Sequence, residues 1–258
     1  EDVNELASSS KNSYYPITLK DMLNLIDSKD GRYAFTGLPC FIKTIRLRQS
    51  YDESFKKKVV FTVGIFCGGY KNKSFTDYLI SKCDGNSNAA ALVNYRQKAL
   101  VGQASNYSFS FQDTEQSSQK SIEMRKVGDM WGTGLFKPLA CDFCDDLSSE
   151  LADISLGDAW ISPYNNSPEG TNIIITRSDL AHELIEQGIS RDELSLDVIS
   201  ETQACLSQKG NITHRRKGLS HRLALDTRGS VITKRIGKKR SFNILFSLVQ
   251  VQRSKVRM

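Results

Sequence analysis

Residues 59–69 read V-V-F-T-V-G-I-F-C-G-G, an apolar and β-branched run that ends at a cysteine and two glycines. A run of this composition, bounded by glycine, is typical of a buried strand, here over residues 59–66. Residues 32–36 show the same pattern, because a short apolar run leads into T-G-L-P-C and ends at Cys40. If the two strands are neighbours, Cys40 and Cys67 meet at one edge of a sheet.

Helical periodicity accompanies these strands along the chain. Apolar spacing predicts helices over residues 19–26, 41–49 and 74–81. The alternation of strand, loop and helix predicts an α+β fold: a mixed β-sheet flanked by helices, with cysteine-bearing loops at the strand ends.

The second half of the chain is less regular. Residues 84–120 are polar, and we predict short strands within 104–111 and an exposed loop over 112–120. Residues 172–176 are predicted as a strand and 179–186 as a helix with Ser178 as its N-cap. Residues 242–256 are predicted as a terminal helix.

Composition describes an ordinary globular protein. The 258 residues are 39% hydrophobic and 25% charged, and no apolar run approaches the ~20 residues that cross a bilayer, so we expect no transmembrane segment. The first residues are acidic and polar, which argues against a secretory signal and predicts a reduced, cytoplasmic setting. The chain starts at Glu1 and not at Met, so we expect a fragment, a processed form or an edited form of the chain.

Charge divides the chain into two parts. Residues 208–258 contain 14 Lys and Arg and a single acidic residue, a net charge of +13. Residues 1–207 carry a net charge of −7, and the two parts together give the total of +6. We therefore predict one domain over residues 1–207 and a basic helical tail over 208–258. The tail is expected to meet either solvent or an acidic partner, and its H-R-R-K run at 214–217 could bind an anionic cofactor.

The densest chemistry lies in Cys141-Asp142-Phe143-Cys144. A C-x-x-C turn lets two sulfurs face one metal centre, but the same spacing also occurs in zinc half-sites and redox dithiols. Acidic residues follow at 145 and 146, and negative charge of this kind disfavours a thiolate nucleophile, so we expect metal binding instead. Cys40 and Cys67 lie in Gly/Pro turns that allow a close backbone approach, whereas Cys83 and Cys205 lie in or beside polar helices and are expected to be ordinary thiols.

Four elements occur in a fixed order: T-G-L-P-C at 36–40, G-I-F-C-G-G at 64–69, C-D-F-C-D at 141–145 and A-D-I-S-L-G-D-A-W at 152–160. Together they resemble the beta-subunit family of coenzyme F-420 hydrogenases and dehydrogenases, over roughly residues 13–205. The sequence departs from that pattern at Leu38, Phe41 and Gly68, and the family's preceding flavin and ferredoxin-like part is not in this chain.

The resemblance implies a flavin-linked iron–sulfur oxidoreductase subunit that passes electrons to a redox partner protein or a deazaflavin-like small molecule. Members include proteins of polysaccharide gene clusters. The resemblance implies a [4Fe-4S] cluster and FAD as cofactors. It implies Cys40, Cys67, Cys141 and Cys144 as metal ligands. The predicted cofactor-binding residues are Thr36, Gly37, Pro39, Asp158, Gly170 and Thr171.

Two other classes of protein fit parts of the sequence. The same four thiols could hold a structural four-cysteine zinc site in a non-catalytic binding module. The basic tail could bind nucleic acid, but the chain lacks an RNA-binding motif with an aromatic platform, so we expect no nucleic-acid partner. Visible absorption separates a cluster from zinc, because zinc is colourless.

Overall fold

A four-stranded mixed sheet positions the cysteines. The computed structural model describes residues 14–128 and 130–226. The strands of this sheet are β1 (Tyr33–Gly37), β2 (Val59–Ile65), β6 (Ile154–Asp158) and β7 (Asn172–Thr176), in the order β1-β2-β6-β7. The pairs β1–β2 and β2–β6 are parallel and β6–β7 is antiparallel, with Gly37 opposite Gly64 and Ile65 opposite Leu156.

Three helices cover one part of this sheet. They are α1 (Lys20–Ser28), α2 (Pro39–Gln49) and α3 (Glu53–Lys58). Their buried residues form one core cluster with the first two strands, comprising Ile26, Phe35, Ile42, Ile45, Phe55, Val59 and Ala152. This cluster fixes α2 against β1, so the turn between them has a defined position at the sheet edge.

A second, antiparallel sheet follows in the chain. It contains β3 (Ala90–Lys98), β4 (Tyr107–Asp113) and β5 (Ser118–Glu123). The helix α4 (Lys73–Ser81) packs on it through a separate core cluster of Phe75, Leu79, Ile80, Tyr95, Phe109, Phe111, Val127 and Met130. Short helices α5 (Met124–Val127) and α6 (Leu139–Asp142) then lead back to the first sheet.

The described chain ends in helices. After β7 come α7 (Asp179–Ser190), α8 (Glu201–Ser207) and α9 (Lys209–Thr213), then a π-helical turn (His214–Gly218) and α10 (Leu219–Leu225). No helix in residues 14–128 and 130–226 is both long and apolar enough to cross a membrane.

The predicted α+β class and mixed sheet are confirmed. The parallel pairing of β1 and β2 also confirms that the segments leading to Cys40 and Cys67 end at one edge. Ser178 is the N-cap of α7, as predicted, and its side chain accepts a hydrogen bond from the Ala181 N–H. The position of Cys40 differs in detail from the prediction of a loop. Pro39 starts helix α2, so Cys40 lies in the first turn of that helix.

The structure of the polar region, residues 84–120, differs more from the prediction. The prediction of an exposed loop over 112–120 was wrong, because residues 114–117 alone form a turn and the flanking residues pair as β4 and β5. Strand β3 was not predicted, since alternation in polar strands gives a weak signal and cross-strand pairing decides such segments. The helix predicted over 242–256 lies outside the described residues.

Candidate functional site

One edge of the four-stranded sheet collects the predicted site residues. Strands β1, β2 and β6 are parallel, so their carboxyl ends lie at the same edge, and β7 begins there because it runs in the opposite direction. Cys67 follows β2 at this edge. The predicted cofactor residues are at the same edge: Thr36, Gly37, Pro39, Asp158, Gly170 and Thr171. Ligands bind at this edge in open α/β sheets.

Cys40 is the second residue of α2. Pro39 occupies the first position, where a missing N–H costs nothing, and α2 is 11 residues long. The unpaired N–H groups of the first turn give this end of the helix a partial positive charge, which favours a thiolate. Cys40 is exposed, whereas the other three cysteines of the motif set are half-buried.

Cys67 lies in a tight turn after β2. Its N–H donates to the Leu147 carbonyl at 3.0 Å, which joins β2 to the segment after the C-x-x-C. Gly69 has φ +137°, and a Cβ there would come within 2.7 Å of the Lys137 side chain. A glycine is therefore required for the chain to turn beside Cys67.

The C-x-x-C forms a turn at the end of α6. The Cys144 N–H donates to the Cys141 carbonyl at 3.4 Å, and the Tyr70 N–H donates to Cys141 Sγ at 3.4 Å. The Cys144 thiol donates to the Asp146 carbonyl at 3.4 Å. A backbone N–H from the turn after β2 thus binds the first sulfur of the C-x-x-C.

Cys40 and Cys67 each lie within electrostatic reach of the two C-x-x-C thiols. Burial raises the pKa of Cys67 to about 11, and the charges of Cys141 and Cys144 contribute to the increase, while Arg215 opposes it. Burial also raises the pKa of the Cys40 thiol, with Cys144 and Cys141 again adding to it. Cysteines from three segments of the chain therefore share one electrostatic environment.

The donor set fits a thiolate-bound metal centre. In the described residues no three His, Cys, Asp or Glu side chains form a ready-made metal group. Backbone N–H groups nevertheless point at the sulfurs of Cys67 and Cys141. Such N–H groups stabilise the negative charge of thiolates bound to metal. Cys83 contacts the core of the second sheet, and Cys205 is exposed on α8, so neither belongs to this site.

The helical segment 208–225 packs on the cysteine turns. Arg215 donates to the carbonyl of Cys67 and, at 3.4 Å, to that of Cys144. Arg222 donates to the carbonyls of Asp142 at 3.0 Å and His214 at 2.9 Å. The first part of the basic tail therefore covers the site, and the predicted boundary between residues 207 and 208 stays a prediction.

A second group of residues lies at the β6 end of the same edge. Arg96 pairs with Asp158 at 2.9 Å and lies over the rings of Tyr107 and Trp160, 5.0 and 5.7 Å from their centroids. Burial alone would lower the pKa of Arg96, but Asp158 more than offsets this and the pKa is raised. The Arg96 Nε is buried without a hydrogen-bond partner. Gly170 has φ +69°, and a Cβ added there would lie 3.7 Å from Lys98 Nζ.

Sequence reasoning missed Arg96 and Lys71, whereas Tyr14 lies at the start of the family-like region. Burial raises the pKa of Tyr14, which is within electrostatic reach of Arg96 and Cys67. Lys71 is buried and donates to the carbonyls of Met130 and Leu135, both at 2.7 Å. No motif marks Arg96 or Lys71, because Trp160 beside Arg96 and the carbonyls that Lys71 binds come from distant segments of the chain.

The fold and the site together define a class of protein: an α+β domain in which Cys40 and Cys67 follow neighbouring parallel strands and the C-x-x-C contacts the turn after β2. Residues 30–202 match the family described as the C terminus of the beta subunit of coenzyme F420 hydrogenase/dehydrogenase. The chain belongs to this family, which consists of subunits associated with oxidoreductases.

A solved structure agrees with the family assignment at the level of the fold. It is a chain from "Xenon derivatization of the F420-reducing [NiFe] hydrogenase complex from Methanosarcina barkeri", with 18% sequence identity and a TM-score of 0.50. The alignment covers 76% of this chain and 63% of the other, so this chain spans less than two thirds of that relative. The comparison with curated protein sequences gave no match.

Proposed function

We propose that this chain is a redox subunit in which Cys40, Cys67, Cys141 and Cys144 bind a [4Fe-4S] cluster. The observation that supports this most directly is that Cys40 and Cys67 follow neighbouring parallel strands at one sheet edge, where the Tyr70 N–H donates to Cys141 Sγ. A backbone N–H at Cys141 Sγ and the guanidinium of Arg215 add the positive potential that an anionic cluster needs.

A bound cluster would supply one-electron exchange, and the protein would set its environment. Helix α2 and the turn after β2 fix two sulfurs, and the C-x-x-C turn fixes the other two. The segment 208–225 binds the carbonyl side of these turns through Arg215 and Arg222. Burial and hydrogen bonding at the sulfurs are the properties by which a protein tunes such a centre.

Metal content tests this proposal. After anaerobic purification we expect a brown protein with about four iron and four sulfide per chain, as the ligation pattern requires. Cys40→Ser and Cys141→Ser should each lose most of the iron. Cys83→Ser and Cys205→Ser serve as matched controls and should keep it, because neither thiol lies at the site.

Three outcomes would contradict the cluster. A colourless protein with one zinc per chain would identify a structural four-cysteine site in a binding module. A protein without metal would identify a degenerate relative. Equal iron loss in the control variants would mean that the assignment of ligands is wrong.

We further propose that a flavin binds at the residues around Arg96, which are Asp158, Tyr107 and Trp160. The supporting observations are the buried, unpartnered Nε of Arg96, the neighbouring rings of Tyr107 and Trp160, and the proximity of Asp158 to the residues before β7. A bound flavin would supply two-electron chemistry, which complements one-electron exchange at the cysteines. Thr36, Gly37 and Pro39 lie nearer to Cys40 and remain proposed contacts.

Flavin retention tests the Arg96 proposal. We expect purified or FAD-soaked protein to retain flavin, and Arg96→Gln to retain at least tenfold less, measured by absorbance after gel filtration. Arg125→Gln is the matched control, because Arg125 is exposed and pairs with its neighbour Glu123. Equal retention by both variants, or none by the wild type, would contradict flavin binding at this place.

The electron partner is proposed to be a redox protein or a deazaflavin-like small molecule. The structural relative comes from a hydrogenase complex that reduces F420, and its fold is similar to that of this chain. Mixing the dithionite-reduced protein with oxidised deazaflavin under argon would test the second partner. Loss of deazaflavin absorbance would support it, and unchanged absorbance would favour a protein partner.

A further inference from the structure

We propose that Arg215 is a positioning residue for the cysteine site: it joins two of the cysteine turns and offsets the negative charge of the centre that they bind. This inference rests on the proposed cluster. Arg215 lies outside residues 30–202, the part that matches the family, so it is contributed by the segment that follows the family region.

The contacts of Arg215 connect the two halves of the site. One terminal nitrogen of its guanidinium donates to the carbonyl of Cys67, and the other donates to the carbonyl of Cys144 at 3.4 Å. These carbonyls belong to segments that are distant in the chain. A planar guanidinium can hold two acceptors in a fixed geometry, which a lysine cannot do.

The charge of Arg215 is buried and lacks an ion-pair partner. Its side chain is 3% exposed, and Nε makes no hydrogen bond. Within residues 14–128 and 130–226 no carboxylate forms an ion pair with it, and Asp146 is within its electrostatic reach without forming one. Buried charges are normally paired, because an unpaired one is costly. An anionic thiolate centre between the two cysteine turns would supply the missing negative charge.

The surrounding residues hold Arg215 in place. It lies in the π-helical turn His214–Gly218, and such turns are frequent at functional sites. Gln208 Nε2 donates to the Asp158 carbonyl at 2.7 Å, and Arg222 donates to the carbonyls of His214 and Asp142. The turn is therefore fixed to both β6 and the C-x-x-C segment.

Arg216 provides a matched control. It is the next residue in the same turn, but its side chain is 49% exposed and pairs with Glu150 at 3.2 Å. Removing its charge changes the net charge of the protein by the same amount. A difference between the two positions therefore reports burial at the site and not overall charge.

The test compares the iron-loaded wild type with R215Q and R216Q in a dithionite titration followed by visible and electron paramagnetic resonance spectra. Dithionite supplies the electron, and each loaded protein takes up one. At the wild-type midpoint potential we expect the ratio of reduced to oxidised protein to be at least tenfold lower in R215Q than in the wild type, because a buried positive charge stabilises the reduced state. This ratio corresponds to a midpoint potential that is lower by about 59 mV for a one-electron couple. R216Q should stay within about twofold of the wild type.

A second pair of variants tests the joining of the turns. R215K keeps the charge but loses the two-point contact, so iron should be lost to a chelator at least fivefold faster than from R216K. This pair decides the case if R215Q does not fold. Equal midpoints for R215Q and R216Q, or equal chelation rates for R215K and R216K, would overturn the proposal. A wild type without iron would instead overturn the proposed cluster.

Discussion

Asp153 belongs to the family-like A-D-I-S segment, and its contacts are structural. Its carboxylate accepts from the Thr62 N–H at 2.8 Å, the Thr62 hydroxyl at 2.7 Å and Arg46 at 2.9 Å. Burial alone would raise its pKa, but the Thr62 hydrogen bonds and the Arg46 charge lower it below the usual range. The carboxylate therefore connects α2, β2 and the start of β6.

Replacing Asp153 by Asn should destabilise the fold. At pH 7 we expect Asp153→Asn to lower the free energy of unfolding by about 2 kcal/mol, since it removes hydrogen bonds to a charged acceptor that is partly exposed. Because the folded pKa is lowered, the wild-type contribution is complete above the unfolded pKa of about 3.9 and is lost progressively as the pH falls from there through the folded pKa. Urea unfolding at pH 7 and at pH 3 measures both effects.

Glu193→Gln is the control for this measurement, because Glu193 is exposed on the loop after α7. It should change the unfolding free energy by less than about 0.5 kcal/mol. A difference between Asp153→Asn and the wild type that persists undiminished at pH 3 would contradict the role of the carboxylate charge.

At the level of elements, strand β2 approaches the turn before β6 very closely. A Cβ added at Gly64 would lie 2.2 Å from Ser149 Cβ and 2.9 Å from Ala152 Cβ. Ser149 is fully buried, and its hydroxyl donates to the Ile65 carbonyl at 3.1 Å. The absence of a side chain at Gly64 thus lets β2 lie against the chain that links the C-x-x-C to β6.

Gly64→Ala should separate these elements. Overpacking of this kind costs about 1–3 kcal/mol, and we expect at least about 2 kcal/mol because neither neighbour is a flexible side-chain end. Gly210→Ala in α9 is the matched control, since a Cβ there meets nothing within 4 Å. That change should leave stability unchanged or raise it by up to about 1 kcal/mol. Urea unfolding of both variants gives the comparison, and equal effects would contradict the packing argument.

At the level of the whole molecule, the site depends on segments that are distant in the chain. The Cys67 N–H pairs with Leu147, and the Cys67 carbonyl accepts from Arg215, so the site is complete only when the sheet, the C-x-x-C turn and the last helices are in place. A centre bound by all of these segments is bound by the folded state and not by the unfolded one.

Binding of the proposed iron–sulfur cluster should therefore stabilise the entire protein. A ligand at about 1,000 times its dissociation constant adds about 4 kcal/mol, which corresponds to a rise in Tm of roughly 10 °C for a chain of this size. Differential scanning calorimetry of iron-loaded and chelator-treated protein under argon measures the rise. Cys141→Ser treated in the same way should show none, and an equal Tm for loaded and stripped wild type would contradict a shared site.

The sequence by itself determined the α+β class and the strands that lead to Cys40 and Cys67, and it separated Cys83 and Cys205 from the other thiols. These features depend on local apolar periodicity and on Gly and Pro at turns, which neighbouring residues encode directly. The family pattern added the order of the four elements, and the match over residues 30–202 confirmed the family.

The tertiary structure alone decided how the second sheet pairs and which polar residues surround the cysteines. Strand β3 and the hairpin of β4 and β5 are stabilised by partners across the sheet, so their own sequence gives little periodic signal. Arg96 and Arg215 are ordinary arginines in the sequence, and their surroundings result from packing between segments that are far apart in the chain. The physical reason is that burial and electrostatic environment are set by contacts between distant residues, which local patterns do not encode.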